Sequence, residues 1–281
     1  MCISKGVYQS TAKIAVLVSV FLFSGNILAQ SASQLADRVD QKNSEWLQQI
    51  DRIQITNKTT AGMLEGMEST TAYEKVNRDG IYILEAIDED LDYDLGEMTG
   101  YFDGSMGKFI RNSESIDEDT YDGRSVYRVH VSDGEFLQSL GGPEQLAEDE
   151  LEDEFYTESA TAWIDRDELL LYRISFDMRG QGDRNMTIHI RFSEYQDHAG
   201  LPIPHVMDFD IEGLDQMISE EDLEEARRGM RELEQQLEQM PEAQRQMIEE
   251  QLQPQFERFE QMLEQGELGE MRIEVMDVQV N

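Results

Sequence analysis

The sequence predicts an α+β chain, mainly antiparallel β, on three observations. Between Thr161 and Ile211 apolar residues recur at every second position: Tyr172, Ile174, Phe176 and Met178, then Met186, Ile188, Ile190 and Phe192, then Met207, Phe209 and Ile211. That is the period of a strand with one buried face. The alternation breaks at Asp165-Arg166-Asp167, at Arg179 to Asp183, and at His198-Ala199-Gly200 with Pro202 and Pro204 just beyond. Four strands therefore follow one another as a meander. The period changes to three and four after Ser219 and returns to two at Met271, which places helices late in the chain ahead of a closing strand.

In chain order, Lys5 and Lys13 precede an apolar run from Ile14 to Phe23 and then Ser24-Gly25-Asn26-Ile27-Leu28-Ala29, whose small last residue suits cleavage. This is the pattern of a secretory signal peptide over residues 1–29, since the run has about half of the ~20 residues that a bilayer crossing needs. No transmembrane anchor is expected after cleavage. The only cysteine, Cys2, lies ahead of that run, so it is not a lipid-bearing residue and the exported chain has neither a disulfide nor a thiolate metal site. Residues 30–281 read as one domain with an insertion, 214–268, before the last strand.

From Ser33, the pairs Leu35/Val39 and Trp46/Ile50 mark an N-terminal amphipathic helix, with a break near Asn43-Ser44 where Ser44 would cap a second piece. Ile53 and Ile55 alternate in a first strand from Arg52 to Asn57, and Ala72–Val76, Asn77-Arg78-Asp79-Gly80 and Ile81–Ala86 make a hairpin. Asp88 to Glu97 alternates carboxylates, but Leu95 stands where a calcium loop needs glycine and Tyr101 where it needs glutamate, so it reads as a solvated acidic loop. Phe102 to Gly107 reads as a glycine-containing turn and Phe109 to Ile116 as a strand. Asp122-Gly123 then introduces the strand Arg124–Val131, with Tyr127, Val129 and Val131 on one face and a solvated His130 beside Arg128 on the other. An acidic connection, Gly141 to Glu154, carries a short helix after Pro143.

After the meander, Ser219 to Asp222 forms a capping box, and Leu223, Ala226, Met230, Leu233, Leu237 and Met240 make one stripe that ends at Pro241. A second segment from Glu242 carries Met247, Ile248 and Leu252, is interrupted at Pro254, and continues through Phe256, Phe259 and Leu263 to Gly266. Together they make a helical hairpin, Ser219 to Gly266. Its stripe of Met230, Met240, Met247 and Met262 is either the seam of the hairpin or an adaptable surface for apolar ligands or partner helices. In the closing strand Met271, Ile273 and Val275 alternate, then Met276, Val278 and Val280, and the one-residue shift marks a bulge at Val275-Met276.

With 60 acidic residues against 23 basic ones, six of them lysine, the formal net charge is −37. Nucleic acid, which needs Lys and Arg to displace counterions, is excluded as a partner, as is simple adsorption to anionic headgroups. An acidic, lysine-poor surface suits high salt, where screening relieves self-repulsion, and points to a halophilic setting.

No catalytic constellation is present. His130, His189, His198 and His205 form no compact metal-ligand spacing, although His198 and His205 flank a Gly-Pro turn and can approach each other. There is no G-x-S-x-G and no phosphate-cradling glycine loop. No cofactor, metal or catalytic residue is expected, so the reading is a binding protein and not an enzyme. The candidate surface is the apolar sheet face, Trp163, Tyr172, Ile174, Phe176, Ile188, Ile190, Phe192 and Phe209. Either these residues are plain core, or some line a groove for an acyl chain with the helices as its lid; both demand the same alternation.

One resemblance adds to this. Trp163-Ile164-Asp165 at a strand end, the acidic turn Asp165 to Glu168, and the corner Ser193, Tyr195, Asp197, Gly200 and Pro204 are similar to the pattern of periplasmic lipoprotein-carrier-like proteins, the outer-membrane lipoprotein-sorting superfamily. Tyr121 to Val131 and the last strand ending in Val280-Asn281 are similar too. The resemblance implies an unclosed (half) β-barrel with an N-terminal helix and further helices in its concave side, which holds lipid acyl chains in the periplasm; lipid or a lipidated protein would be the partner. Relatives of this shape also serve as sensors of envelope proteins, so the alternative is an envelope interaction protein with a filled core and a partner-binding hairpin.

The charge argument has a direct test. The melting temperature should rise as NaCl is increased to about 1 M, where the Debye length is roughly 3 Å; a flat or falling curve contradicts it.

Overall fold

The computed structural model describes residues 32–61, 66–87, 102–140, 155–180, 185–213, 228 and 271–281. The acidic stretch 88–97, the connection 141–154 with its helix after Pro143, the turn residues 181–183 and the helical hairpin 219–266 lie outside the described residues.

Ten strands form one antiparallel sheet: β1 (Arg52–Ala61), β2 (Glu68–Arg78), β3 (Ile81–Ala86), β4 (Ser115–Tyr121), β5 (Arg124–Val131), β6 (Phe155–Asp165), β7 (Leu171–Gly180), β8 (Asn185–His198), β9 (Leu201–Glu212) and β10 (Met271–Val280). Their order is β3-β2-β1-β10-β9-β8-β7-β6-β5-β4, with β3 and β4 at its two ends and not paired with each other, so the barrel is unclosed. The predicted fold class, a mainly antiparallel half-barrel with an N-terminal helix, is what forms. Two meanders, β1 to β3 and β4 to β9, are joined by the C-terminal strand between them.

Turn chemistry works as the sequence implies. Asp79-Gly80, Asp122-Gly123 and Ala199-Gly200 each have both residues at positive φ, the two-residue turn whose twist matches that of the strands. Asn77 Oδ1 accepts from Gly80 N at 3.0 Å, and Asp165 Oδ1 accepts from the Asp167 and Glu168 amides at 2.8 and 2.7 Å. The shift at Val275-Met276 is a bulge: Thr56 faces Asp277 while Asn57 faces Val275, leaving Met276 unopposed and 56% exposed. After it Val278 and Val280 return to the core side, as Met271, Ile273 and Val275 do before it.

Among the described residues three helices accompany the sheet: α1 over 32–47, α2 (Ser105–Arg111) and α3 (Gly134–Ser139). In α1 the buried stripe is Ala32, Leu35, Ala36, Val39, Asn43 and Leu47, spaced by three and four. The predicted break at Asn43-Ser44 does not occur. Asn43 is buried on the stripe, and Ser44 Oγ accepts from the Tyr82 amide at 2.8 Å instead of capping a new helix. Lys75 completes the C-terminal end of α1 by donating to the Gln48 carbonyl at 3.2 Å.

A second correction concerns the predicted strand Phe109–Ile116, whose first residues are helical. Phe102, Met106, Phe109 and Ile110 are all buried, a helical spacing, and the start is set by Gly104 at φ 85 and by Asp103 Oδ1, which accepts from Ser105 N at 2.6 Å. The strand begins at Ser115. A third correction is α3, which the sequence reading left out. Its N-cap is Asp133, accepting from Phe136 N at 3.0 Å, and its Leu137 is buried.

α1 and α2 are joined by Arg111, which forms ion pairs with two aspartates of α1. Arg111 Nη2 lies 2.6 Å from Asp40 and 2.8 Å from Asp37, and Asp40 is buried. Gly107 makes room for it, because a Cβ there would collide with the Asp40 carboxylate.

Two substitutions test this packing. Arg111→Met should cost about 3 kcal/mol in a urea melt, near the low end for stranding a buried charge because Arg111 is itself partly exposed. Arg128→Met removes an exposed pair, Arg128–Asp117 at 3.1 Å, and should cost less than about 1 kcal/mol. Equal losses would contradict the account.

Candidate functional site

The inner face of the sheet is read directly from the register. Ala162, Ile174, Ile190, Phe209 and Met271 form one row across β6, β7, β8, β9 and β10. Ala160, Phe176, Ile188 and Ile211 form the next, and Phe192, Met207 and Ile273 a third. The candidates Ile174, Phe176, Ile188, Ile190, Phe192 and Phe209 thus share one face and one apolar cluster with Leu35, Val39 and Leu47 of α1 and Met106, Phe109 and Ile110 of α2.

The other two candidates are placed elsewhere. The inner face of β6 is built from Ala160, Ala162 and Ile164, which leaves Trp163 on the outer face in a row with Arg128, Arg173, Arg191, Asp208 and Arg272. The Arg173 guanidinium lies 5.0 Å from its ring centre. Tyr172 is in phase with Ile174 in the sequence, but Trp163 faces Arg173 while Ile164 faces Leu171, so Tyr172 is the extra residue of a bulge. It joins Val126 and Leu170 in a separate cluster, under the Arg124 guanidinium at 4.7 Å. The outer groove beside it, about 640 Å³, mixes Arg124 and Arg191 with Asp122, Glu168, Glu194 and Asp208 and so offers no single charge sign to a ligand.

On the inner face the described helices leave an apolar cavity of about 30 Å³. It is lined by Ile55 and Asn57 of β1, Phe102, Leu171 of β7, Phe192 and Tyr195 of β8, Ile203, Pro204 and Met207 of β9, and Val275 of β10. Of these, the sequence reading singled out only Phe192 as a ligand contact. A signal did exist in the two prolines, which cannot donate to a ladder and avoid central strands. β9 pairs with β10 only from Met271–Phe209 to Glu274–Val206. Pro202 and Pro204 lie beyond that last rung, where β9 has β8 on one side and none of the described strands on the other. Val275, the next β10 residue, stands at the opening between the two strands. Among the described lining residues the polar ones are Asn57 and Tyr195; the buried Asn57 Oδ1 has no hydrogen-bond partner.

Two histidines meet at this opening. His198 Nε2 and His205 Nε2 are 2.8 Å apart, with ring planes 9° apart and centroids at 5.1 Å. The centroid separation exceeds the N···N distance by about two ring radii, so the rings meet tip to tip in line, as a hydrogen bond requires, and not face to face. His205 is held below the usual histidine pKa, first by burial and then by His198, while a hydrogen bond to the Val275 backbone and the charge of Glu194 act the other way. The remaining two histidines are on the outer face. His130, predicted to be solvated, is partly buried with Nδ1 3.0 Å from Thr161 Oγ1.

His189 makes a Ser-His-Glu sequence, with Nδ1 2.8 Å from Ser175 Oγ and Nε2 3.4 Å from Glu212 Oε1. Ser175 is 6% exposed in mid-strand, between Thr161 and His189, and its Oγ also accepts from Arg173 Nε at 3.2 Å. Both flanking ladders use the local amides, so no pair of N–H groups is free to hold an oxyanion there. This is a hydrogen-bonded rung of the sheet. Among the described residues no three His, Cys, Asp or Glu side chains converge as a metal site, and no helix is long and apolar enough to cross a membrane.

No family model matches the chain, and no curated protein is significantly similar to it. Solved structures in the superfamily named above are among those it resembles. A putative outer membrane lipoprotein-sorting protein domain from Vibrio parahaemolyticus is 9% identical, with 90% of this chain and 93% of that chain covered and a TM-score of 0.42. A LolA superfamily protein from Nitrosomonas europaea is 9% identical, with 88% and 93% covered and a TM-score of 0.35. A DUF1329 family protein from Desulfovibrio piger is 12% identical, with 65% and 85% covered and a TM-score of 0.36. These likenesses assign no activity to this chain.

Proposed function

We propose that the chain is an exported, periplasmic, non-enzymatic binding protein that takes an apolar chain, the acyl chain of a lipid or of a lipidated protein, into the inner face of its half-barrel. The observation that carries this reading is the cavity at the β9–β10 opening: apolar on almost every side, beside a break in the sheet, and holding one buried acceptor, Asn57 Oδ1, without a partner. An acyl chain joined to its head through an amide or hydroxyl brings both the apolar surface and the missing donor. At about 30 Å³ the cavity has the volume of roughly one water, well below the ~300–1,000 Å³ of ligand pockets. The structure is then a closed state. Entry requires β9 to part from β10 beyond the Glu274–Val206 rung, and Phe192, Met207 and Ile203 become the first contacts.

The packing of the described helices favours a second reading. Leu35, Val39, Leu47, Phe109 and Ile110 cover the inner face as a permanent core would, and in that case the protein is an envelope interaction or sensor protein whose partner docks on the hairpin expected from the sequence at 219–266.

A fluorescent fatty-acid titration separates the two. Wild-type protein should bind the probe saturably, Phe192→Asp should weaken binding at least about tenfold by placing a charge in the apolar site, and Trp163→Asp on the outer face should leave it unchanged. Absence of saturable binding by the folded wild type favours the interaction protein.

A further inference from the structure

We propose that Arg173 and Arg191, side by side on the outer face of the sheet, form a binding site for the phosphate group of a phosphate monoester. The site lies on the opposite face from the apolar cavity and does not rest on the function proposed above.

Like charges face each other at this rung. Arg173 of β7 and Arg191 of β8 are direct cross-strand partners, an arrangement that costs stability unless an opposite charge stands between them. The chain has 60 acidic residues against 23 basic ones, so carboxylates are plentiful, yet none is placed here. Among the described residues Arg173 has no ion pair; its Nε donates to Ser175 Oγ at 3.2 Å and its guanidinium lies 5.0 Å from the Trp163 ring centre. Arg191 reaches only Asp208, at 4.0 Å, and that carboxylate is already held by Arg272 at 2.7 Å. Elsewhere in the same row the arginines are matched: Arg128 has Asp117 at 3.1 Å, and Arg272 has Asp208. The central rung is the one that keeps its positive charge.

The pair is prepared for an anion. Ser175 holds Arg173 at Nε and Trp163 supports the guanidinium, which leaves the terminal Nη groups to donate outward. The Arg191 side chain is 48% exposed and lines the outer groove of about 640 Å³, so a ligand reaches it from solvent. That groove carries both signs as a whole, but Asp122 and Glu168 belong to the β4–β5 and β6–β7 turns and Asp208 is neutralised by Arg272.

Charge and shape select the ligand class. A phosphate monoester carries about −1.5 to −2 at neutral pH and three acceptor oxygens, enough for two guanidinium groups at once. A carboxylate carries a single charge and fills one guanidinium fork. At about 0.15 M salt the Debye length is about 8 Å, so the chain's distant carboxylates are largely screened from the incoming anion. A soluble monoester and the headgroup of phosphatidic acid present the same chemistry.

The test is calorimetric titration of the exported chain, residues 30–281, with inorganic phosphate, the ionic strength being held constant with NaCl. Saturable binding is expected, with acetate at least about tenfold weaker. Arg191→Gln should weaken phosphate binding at least about tenfold, whereas Arg128→Gln, in the same row but paired with Asp117, should leave it unchanged. Should Arg191→Gln fail to fold, Arg173→Gln gives the same readout from the other strand. Flotation with phosphatidylcholine vesicles, with and without phosphatidic acid, identifies the source of the phosphate. Flotation only with phosphatidic acid, lost in Arg191→Gln, assigns the site to a lipid headgroup; phosphate binding without flotation assigns it to a soluble monoester. The site is overturned by the absence of binding to both probes, by acetate binding as tightly as phosphate, or by binding that survives both arginine substitutions.

Discussion

The C-terminal strand carries the fold, because among the described strands it is the one that joins the two meanders. β10 pairs with β1 along almost its whole length, from Ala61–Arg272 to Ile53–Val280, and Asn281 continues the ladder by bonding Asp51 and Arg52. With β9 it shares only the stretch between Met271 and Glu274. A ladder that is long on one side and short on the other fixes where the sheet yields: local opening follows the fewest cross-strand bonds. The bulge at Val275-Met276 sits where the pairing with β9 ends, turning β10 toward β1 and away from the Leu201–Pro204 segment.

The apolar inner face then has two demands on it. An unclosed sheet must bury that face, and α1, α2 and α3 supply the cover, with Ala160 and Ala162 on β6 keeping the surface low beneath them. Burial of a Leu or Ile side chain contributes about 1.5–3 kcal/mol, so the stripe of α1 is a strong holdfast. Among the described residues the cover leaves a cavity beside Val275, where the β9–β10 ladder also stops. Asn57 Oδ1 lies unpartnered at that place, a cost of about 1–3 kcal/mol that a permanent core would avoid. That coincidence ties the binding reading to the β9–β10 opening more firmly than the apolar face as a whole does.

Strands and turns were legible in the sequence because period two and Asp-Gly or Ala-Gly turns are local signals. The bulge in β10 was legible for the same reason: Val275 and Met276 break parity in plain view. The bulge in β7 was not, since Leu169, Leu170, Leu171 and Tyr172 are a continuous apolar run with no parity to break, and Tyr172 was assigned to the wrong face. Trp163 was misplaced because size suggests burial, whereas β6 turns its alanines inward. α2 was misread because Phe109 and Ile110 open a run that reads equally as strand, and only packing against Asp40 through Gly107 decides for helix. The cavity was not legible at all. It is made by residues from β1, β7, β8, β9 and β10 whose proximity depends on where one ladder stops, and only Pro202 and Pro204 hinted at it.

The most direct measurement is uptake of a fluorescent fatty acid by a Val206→Cys/Glu274→Cys variant of residues 30–281, which has no other thiol and places the pair on the last β9–β10 rung. Oxidation to the disulfide should stop or strongly slow uptake, and reduction should restore it, because the apolar chain enters where β9 parts from β10. Equal uptake by the oxidised and reduced forms would contradict that account.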